Sequence, residues 1–259
     1  MWWNLKKVKN LLLYLYQEVR IRRNLCALHD RRYAMPLLDP GLREAAATWP
    51  EVLPWKWKPR TVLDVGAYKG QVAMQLAQLY RPNFIGLIEP QQELAVELQS
   101  KSFAPHQKVF ACALGRSAGS STLNVLASAA SSSLLSITPG CEKLFHRRMD
   151  VKRLIQVPVR TLDSIFAECG LQELDLLKID VQGYELEVLT GAEKSLRNIH
   201  VIVSEVSFFE HYHRQPLFPE VYAYLVAMGF AMRGTFGYLY DDRGRPLQCD
   251  AVFINLSRP

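Results

Sequence analysis

Residues 61–80 combine a strand, a tight turn and a helix, and this unit constrains the fold more than any other part of the sequence. The β-branched and aliphatic run Thr61 to Val65 predicts a buried strand. Gly66 and Gly70 bracket a sharp turn, because glycine accepts backbone conformations that other residues avoid. The helix predicted over Gln71 to Tyr80 then begins with unpaired backbone N–H groups. Such a unit typically binds a nucleotide-like ligand against bare backbone.

The residues of this turn favour one kind of ligand. Dinucleotide-binding folds carry G-x-G-x-x-G here, whereas this chain has Ala67 at the middle glycine position. Asp64 stands two residues before the first glycine, where its carboxylate would repel a pyrophosphate. The same carboxylate suits a ligand with positive charge and hydrogen-bond donors, such as S-adenosylmethionine with its sulfonium, its amino group and its ribose hydroxyls. An NAD-dependent oxidoreductase is the nearest alternative on fold alone.

From Thr61 onward, predicted strands and helices alternate, which is typical of an α/β domain with a mostly parallel, doubly wound sheet. The later strands are predicted at Asn83 to Ile88, Lys108 to Cys112, Leu154 to Val159, Leu174 to Asp180 and Val201 to Val206, and the later helices at Gln91 to Ser100, Thr161 to Cys169, Gly183 to Asn198 and Pro219 to Met228. Phe230 to Phe236 and Ala251 to Leu256 predict a C-terminal antiparallel hairpin. Residues 115–150 interrupt the alternation and predict a long irregular insertion, either a binding loop or a disordered segment.

Four of the predicted strands end in or near a carboxylate, at Asp64, Glu89, Asp180 and Glu205. In an open parallel sheet, ligands bind beyond the carboxyl ends of the strands, so we expect these four acids to line one crevice. Glu89 follows Asp64 by 25 positions, about where such folds place the acid that accepts hydrogen bonds from ribose hydroxyls. Each acid taken singly is equally well explained as a cap of the next helix.

Six short motifs follow one another between residues 60 and 256. They are Asp64-Val65-Gly66-Ala67 with Gly70, Glu89-Pro90, Ala113-Leu114-Gly115, Ser131-Ser132-Ser133-Leu134, the segment Val157 to Asp163, and the segment Lys178 to Glu185 with Leu189 and Gly191-Ala192 after it. In this order they resemble the motifs of FkbM-type S-adenosylmethionine-dependent methyltransferases, and the last motif is the most specific. Gln182 stands where many members have Glu. Residues 1–60 lie outside the resemblance.

The resemblance implies a class I methyltransferase (Rossmann-like) fold, with S-adenosylmethionine as the methyl donor and a hydroxyl oxygen, often of a sugar or polyketide, as the acceptor. It implies donor binding by Asp64, Gly66, Ala67, Gly70, Glu89, Pro90, Cys112, Ala113 and Ser133. Within this set, Glu89 is expected to take the ribose hydroxyls, and Cys112 with Ala113 is expected to face the adenine. Asp180 is expected beside the transferred methyl group.

Methyl transfer to an alcohol benefits from a group that accepts the hydroxyl proton. By their strand-end positions, Asp180 and Glu205 are the candidate bases, with Glu185 as a nearby second. The run from Glu210 to His213 raises the alternative of a metal site. However, no further His or Cys is placed by the sequence to complete a tetrahedral ligand set. We therefore predict no metal and a polar loop at the acceptor mouth, with His211 as a more distant candidate base.

The N-terminal part of the chain differs from the rest. Residues 2–24 predict a basic amphipathic helix whose apolar run, Leu11 to Tyr16, is far shorter than the roughly 20 residues that cross a bilayer. This helix either packs on protein, on its own domain or on the second subunit of a homodimer, or lies in a membrane interface with Trp2 and Trp3 at headgroup depth. Residues 36–60 contain five prolines and predict a connector, so the catalytic domain is expected to span residues 61–259.

Charge and cysteine content limit the partners. The net charge of +6 comes from residues 1–60, which carry 12 Lys and Arg against 5 Asp and Glu. The predicted catalytic domain has a net charge of −1, which argues against a nucleic-acid partner.

Five scattered cysteines without C-x-x-C spacing favour a reduced, cytoplasmic protein, peripheral at the inner membrane face if the N-terminal helix binds lipid. The predicted acceptor is a small molecule or glycan with a hydroxyl. The basic residues Arg147, Arg148, Lys152 and Arg153 raise the alternative of an acidic or phosphate-bearing acceptor, but a solvated surface is the more frequent explanation of such a charge run. A membrane-associated binding protein without catalysis is the second alternative.

Overall fold

The computed structural model of this chain describes residues 57–142 and 149–258, all within one compact unit. The helix predicted over residues 2–24, nearly all of the connector, and Lys143, Arg147 and Arg148 lie outside the described residues. Within the described ranges, none of the helices has both the length and the apolar character needed to cross a membrane. The boundary placed between residues 60 and 61 stays a prediction.

A seven-stranded sheet carries the site. In chain order the strands of the structure are β1 Thr61–Val65, β2 Phe84–Ile88, β3 His106–Phe110, β4 Ala113–Leu114, β5 Gly119–Leu126, β6 Val151–Arg160, β7 Leu174–Ile179, β8 Ile199–Ser207, β9 Phe230–Tyr240 and β10 Pro246–Asn255. The central sheet has the order β3-β2-β1-β7-β8-β10-β9. Its first five strands run parallel, and β10 pairs antiparallel with β8 and β9. The predicted mostly parallel, doubly wound sheet with a C-terminal antiparallel hairpin is confirmed.

Helices cover both faces of this sheet. They are α1 Gln71–Tyr80, α2 Gln92–Gln99, α3 Leu162–Cys169, α4 Glu185–Thr190 and α5 Phe218–Ala227, with single 3-10 turns at Ala129–Ser131 and Leu196–Asn198. Alternate residues of one strand enter different cores: Leu63 and Val65 pack on one face, and Val62 packs on the other. Burial on both faces explains why the central strands are almost continuously apolar.

The helix predicted from Gly183 to Asn198 is shorter than expected, since α4 ends at Thr190. The side chain of Asp163 accepts hydrogen bonds from the backbone N–H groups of Lys194 and Ser195 at 3.2 and 2.9 Å. Gly191 also lies so close to β4 that an added Cβ would stand 2.2 Å from the carbonyl oxygen of Gly115. These long-range contacts replace the last turns of the helix.

The insertion predicted to be irregular contains a regular strand. β5 pairs antiparallel with β6, and together with β4 they form a three-stranded sheet. Its own small core contains Leu123, Val125 and Val157. The segment after β5 folds back on it, with Asn124 N donating to Ser133 O at 2.9 Å and Ser133 N donating to Asn124 O at 3.2 Å. The prediction of an irregular segment was wrong here because the pairing partner of β5 begins at Val151, far along the chain.

Candidate active site

The turn after β1 brings the end of β7 against it. Gly66 has a φ of +84° and is so close to β7 that a Cβ atom would stand 1.8 Å from the carbonyl oxygen of Asp180. Asp180 N in turn donates to Val65 O at 2.9 Å. Gly66 and Ala67 both donate their backbone N–H to Ile88 O, at 2.9 and 3.0 Å. The ends of β1, β2 and β7 are thereby joined at one rim.

A partly open cavity of about 550 Å³ lies at this rim. Its walls come from the ends of β1 and β2, from β4, from the segment that includes Ser133, and from the turn after β7. The lining residues are Val65, Gly66, Tyr68, Ile88, Glu89, Pro90, Gln91, Cys112, Ala113, Leu114, Leu123, Ala129, Ala130, Ser132, Ser133, Leu134, Asp180, Val181, Gln182 and Tyr184. We call this space the donor cavity. It contains six of the nine predicted donor-binding residues, together with Asp180.

Glu89 is held rigidly in the wall of the donor cavity. One carboxylate oxygen accepts the backbone N–H of Tyr68 and the other accepts that of Gln91, both at 2.9 Å. Burial raises the pKa of this carboxyl, although the two N–H groups partly counteract the rise. Each oxygen keeps a further lone pair, so the carboxylate can accept hydrogen bonds from a pair of neighbouring hydroxyls. This arrangement fits a ribose.

The rest of the donor cavity is mainly apolar. Ile88, Cys112 and Leu114 are almost completely buried behind it, and Leu123 and Leu134 approach from the small sheet and its return segment. Burial raises the pKa of the Cys112 thiol to about 11, so the sulfur stays neutral. An apolar cavity with a hydrogen-bonding acid in its wall fits an adenosine, and Asp180, in the same lining, offers negative charge to a sulfonium.

Three predicted donor-binding residues lie outside the cavity wall. Asp64 is inside β1, opposite Lys178, and the alternation of strand side chains turns it under α1 with Val62. Burial raises the pKa of Asp64 to about 7, with Lys178 opposing the shift and Asp180 adding to it. Its Oδ2 atom has no hydrogen-bond partner among the described residues. Ala67 is buried beneath the turn, and an added Cβ on Gly70 would stand 2.6 Å from the ring of Phe103, so both serve packing.

A second cavity, of about 570 Å³, adjoins the first. Its lining residues are Ala130, Ser131, Met149, Asp180, Gln182, Glu205, Tyr212, Leu239 and Gln248. We call it the acceptor cavity. Asp180, Gln182 and Ala130 belong to both linings, so the two spaces meet at these residues.

A hydrogen-bond network crosses this boundary. Gln182 Nε2 donates to Asp180 Oδ1 at 2.8 Å and to Glu205 Oε2 at 3.1 Å. Gln248 Nε2 donates to the other oxygen of Glu205, and the hydroxyl of Tyr212 donates to Gln182 Oε1 at 3.0 Å. Burial, followed by the charges of Asp180 and its neighbours, raises the pKa of Glu205 well above its ordinary value. From the sequence, the predicted strand ends placed Asp180 and Glu205 at the site. Gln182, Tyr212 and Gln248 were not predicted as site residues.

Lys178 places a buried positive charge behind the boundary. Its side chain is 2 % exposed, and its Nζ lies 2.8 Å from Asp250 Oδ1 and 3.5 Å from Asp180 Oδ2. Burial by itself would lower the pKa of Lys178, but the carboxylates of Asp250 and Asp180 raise it above its usual range. The ammonium therefore stays charged and partly balances the surrounding acids.

Glu185 and His211, both considered as bases from the sequence, lie outside the walls of both cavities. Glu185 Oε1 accepts the backbone N–H groups of Val181 and Gly183, each at 3.1 Å, and burial raises its pKa to about 7. His211 is 1 % exposed, with Nε2 3.3 Å from Leu247 O, and burial lowers its pKa. Over residues 57–142 and 149–258 there is no cluster of three or more His, Cys, Asp or Glu side chains arranged to hold a metal ion.

The strand order with its reversed C-terminal hairpin, and the cavity at the carboxyl ends of β1 and β2, are those of the class I S-adenosylmethionine-dependent methyltransferase fold. The model of the methyltransferase FkbM domain matches residues 64–232, and the chain belongs to that family, whose methyl donor is S-adenosylmethionine. Membership of this family favours the methyltransferase interpretation over the oxidoreductase alternative.

One solved structure and two curated proteins are similar to this chain. A crystal structure of methyltransferase FkbM from Methylobacillus flagellatus superimposes with a TM-score of 0.52 at 17% identity, covering 81% of this chain and 47% of that one. The 2-O-methyltransferase NoeI of Sinorhizobium fredii is 39% identical over 61 residues, which are 24% of this chain and 25% of NoeI. The AMB antimetabolite synthetase AmbE of Pseudomonas aeruginosa is 47% identical over 49 residues, which are 18% of this chain and 2% of AmbE. The chain thus matches a quarter or less of the length of these two curated relatives.

Proposed function

We propose that this methyltransferase transfers the methyl group to a hydroxyl oxygen of a sugar, a glycan or a related polyol. The observation that carries the proposal is that the donor and acceptor cavities meet at Asp180 and Gln182. A molecule in the acceptor cavity can therefore approach a donor along the boundary between the two spaces. The similarity to NoeI, which is a 2-O-methyltransferase, supports oxygen as the methylated atom.

The lining of the acceptor cavity supports a polyol. Glu205, Gln248 and Tyr212 present a carboxylate, a carboxamide and a phenol, which hydrogen-bond to hydroxyl groups both as donors and as acceptors. Met149 and Leu239 add apolar surface. A sugar ring matches this mixture, because it has hydroxyls around its edge and C–H groups on its faces.

Asp180 is the proposed proton acceptor. Its side chain is 36 % exposed, in contrast to the almost fully buried Glu205, and its two oxygens are oriented by Lys178 Nζ and Gln182 Nε2. Lying in both linings, the carboxylate can contact the attacking hydroxyl and the space next to the methyl group at once. Glu205 lines only the acceptor cavity and not the donor cavity, so we assign it to acceptor binding. Glu185 supports the turn that carries the site.

The reaction requires little covalent chemistry from the protein. The bound donor would supply an electrophilic methyl group on a positively charged sulfur. When the carbon–sulfur bond breaks, the sulfur keeps the bonding electron pair and becomes neutral. Glu89 orients the ribose end, and Asp180 takes the proton of the hydroxyl as the new carbon–oxygen bond forms. Placing the two reactants in line supplies most of the acceleration. Ser133 Oγ donates to Gln182 O at 2.7 Å, which ties the segment above the donor cavity to the boundary.

The test is methyl transfer from donor labelled in the methyl group to a panel of sugars, glycan fragments and lipid-linked glycans. The full chain is expected to form a methyl ether, identified by mass spectrometry and NMR of the product. Asp180→Asn should reduce kcat by at least 100-fold while S-adenosylhomocysteine still binds, since general-base catalysis is typically worth about 10² to 10⁴. Glu93→Gln, at an exposed position 63% accessible to solvent, is the matched control.

Two results would overturn the proposed function, and a third would overturn the assignment of its base. A labelled product methylated on nitrogen, carbon or a carboxylate would remove the hydroxyl acceptor. Donor binding without transfer to any member of the panel or to a cell extract would favour a binding protein without catalysis. Unchanged turnover by Asp180→Asn would remove Asp180 as the base.

A further inference from the structure

Gln182 connects both sides of the cavity boundary through one side chain. Both protons of its amide nitrogen are used, one for Asp180 and one for Glu205. Its amide oxygen lies 3.0 Å from the hydroxyl of Tyr212, whose single proton it shares with Ser131 O at 2.8 Å. Every polar atom of the carboxamide therefore has a partner in the wall of the acceptor cavity.

The surroundings of this carboxamide are strongly acidic. The charged and titratable groups that face it or its partners come from β1, β7 and the turn after it, α4, β8, β10 and the loop after β8. They are Asp64, Lys178, Asp180, Glu185, Glu205, Asp250 and Tyr212. Five of these are carboxyl groups, and Lys178 is the cation among them. A neutral hydrogen-bond donor at residue 182 lets Asp180 and Glu205 approach each other without a further negative charge between them.

The backbone holds Gln182 in a conformation that is uncommon for a residue with a side chain. Its φ is +56°, in the left-handed region. Glu185 accepts the N–H groups on either side of it, from Val181 and Gly183, and Ser133 Oγ binds its carbonyl. Three hydrogen bonds thus fix this turn, and a strained residue that is fixed from several sides is a mark of a functional position.

We propose that Gln182 is a positioning residue for methyl transfer, which holds the carboxylates of Asp180 and Glu205 in one arrangement at the boundary of the two cavities. The inference rests on the proposed function, because it assigns these acids to proton transfer and acceptor binding. It predicts that residue 182 determines the pH range in which the site works without being needed for donor affinity.

The experiment compares Gln182→Glu and Gln182→Met in the full chain. Glutamate keeps the size and adds a negative charge between the two acids, whereas methionine keeps the length and removes the hydrogen bonds of the side chain. We expect the acidic limb of the kcat/KM profile to move to higher pH, by about one unit or more for Gln182→Glu and by less for Gln182→Met. S-adenosylhomocysteine affinity should change less than 3-fold in both.

A second readout does not depend on turnover. With ¹³C-labelled glutamate, the carboxyl resonance of Glu205, assigned through Glu205→Gln, should titrate at higher pH in Gln182→Met than in the unmodified chain. Gln156→Glu, which adds the same charge on the exposed face of β6, is the matched control and should leave both readouts unchanged. If circular dichroism shows that Gln182→Glu does not fold, the Glu205 titration is measured in Gln182→Met and Tyr212→Phe instead.

The outcomes separate this inference from the proposed function. If the unmodified chain methylates a hydroxyl but neither the pH profile nor the Glu205 titration moves in the variants, the positioning role is overturned and the function stands. If the unmodified chain methylates no hydroxyl while the Glu205 titration moves as expected, the proposed function fails and the coupling through Gln182 stands.

Discussion

The carbonyl oxygen of Asp180 occupies the space that a side chain on Gly66 would need, 1.8 Å from the ideal Cβ position. Gly66 closes the turn after β1, and Asp180 carries the carboxylate at the boundary of the two cavities. The donor cavity and the proposed base are therefore joined through backbone contact, and a change in the turn should reach the chemistry directly.

Gly66→Ala should destabilise the fold and weaken donor binding together. The added methyl group meets backbone that cannot rotate away, and the φ of +84° is unfavourable for alanine. We expect a loss of roughly 2 to 4 kcal/mol in the free energy of unfolding, measured by urea denaturation. Gly119→Ala is the control, because an added Cβ there meets no atom within 4 Å among the described residues. Equal stability of the two variants would contradict the close approach.

Glu89→Gln should weaken binding of S-adenosylhomocysteine by about 10- to 100-fold, measured by isothermal titration calorimetry, because hydrogen bonds to a charged group are worth about 1.5 to 3 kcal/mol. The amide keeps the size of the side chain but replaces one acceptor oxygen by a donor that faces the backbone N–H of Tyr68 or Gln91. Affinity within 2-fold of the unmodified chain would show that Glu89 does not hold the ribose.

Asp64→Asn should flatten the dependence of stability on pH. Burial raises the pKa of Asp64 to about 7 in the folded chain, from an ordinary value of 3.8. Between about pH 4 and pH 7, the folded state therefore holds a proton on Asp64 that the unfolded state has released. The resulting stability is present below pH 4 and is lost as the pH rises towards and through 7. Between pH 5 and 8 the unmodified chain should lose about 2 kcal/mol more than Asp64→Asn.

Urea denaturation at the two pH values measures this difference. Glu193→Gln, which removes an exposed carboxyl group, serves as the control and should keep the slope of the unmodified chain. Parallel pH profiles for Asp64→Asn and the unmodified chain would show that Asp64 is not protonated on folding.

Membrane contact by residues 2–24 remains a prediction, and tryptophan fluorescence can test it in the full chain. All five tryptophans precede residue 61, and Trp57 already packs against the core of the described domain. A Trp57→Phe variant therefore reports more directly on the N-terminal tryptophans. Anionic vesicles should shift its emission to the blue, and salt should reverse the effect because it screens the lysines and arginines. An unchanged spectrum would favour a helix packed on protein, and light scattering would then test for a homodimer.

Much of the fold was predictable because it depends on neighbouring residues. The helix predicted over Gln71 to Tyr80 begins and ends where α1 does, and Thr161 is the predicted N-cap of α3, with its side chain accepting Ser164 N at 3.2 Å. Glu89, Cys112 and Ser133 were placed at the donor site through motifs, and the structure brings them into one lining. β5 and the short α4 could not be predicted, because pairing with β6 and hydrogen bonds to Asp163 act across long stretches of chain.

By itself, the sequence determined the order of strands and helices, the turn at Gly66 and the family, because local periodicity and short motifs depend on residues that are close together in the chain. The tertiary structure alone decided which acids reach a cavity. Asp64 turns under α1 and Glu185 caps its own turn, whereas Asp180 and Glu205 meet through Gln182. The physical reason is that the direction of a side chain depends on the sheet face it enters and on partners that packing brings together from distant segments.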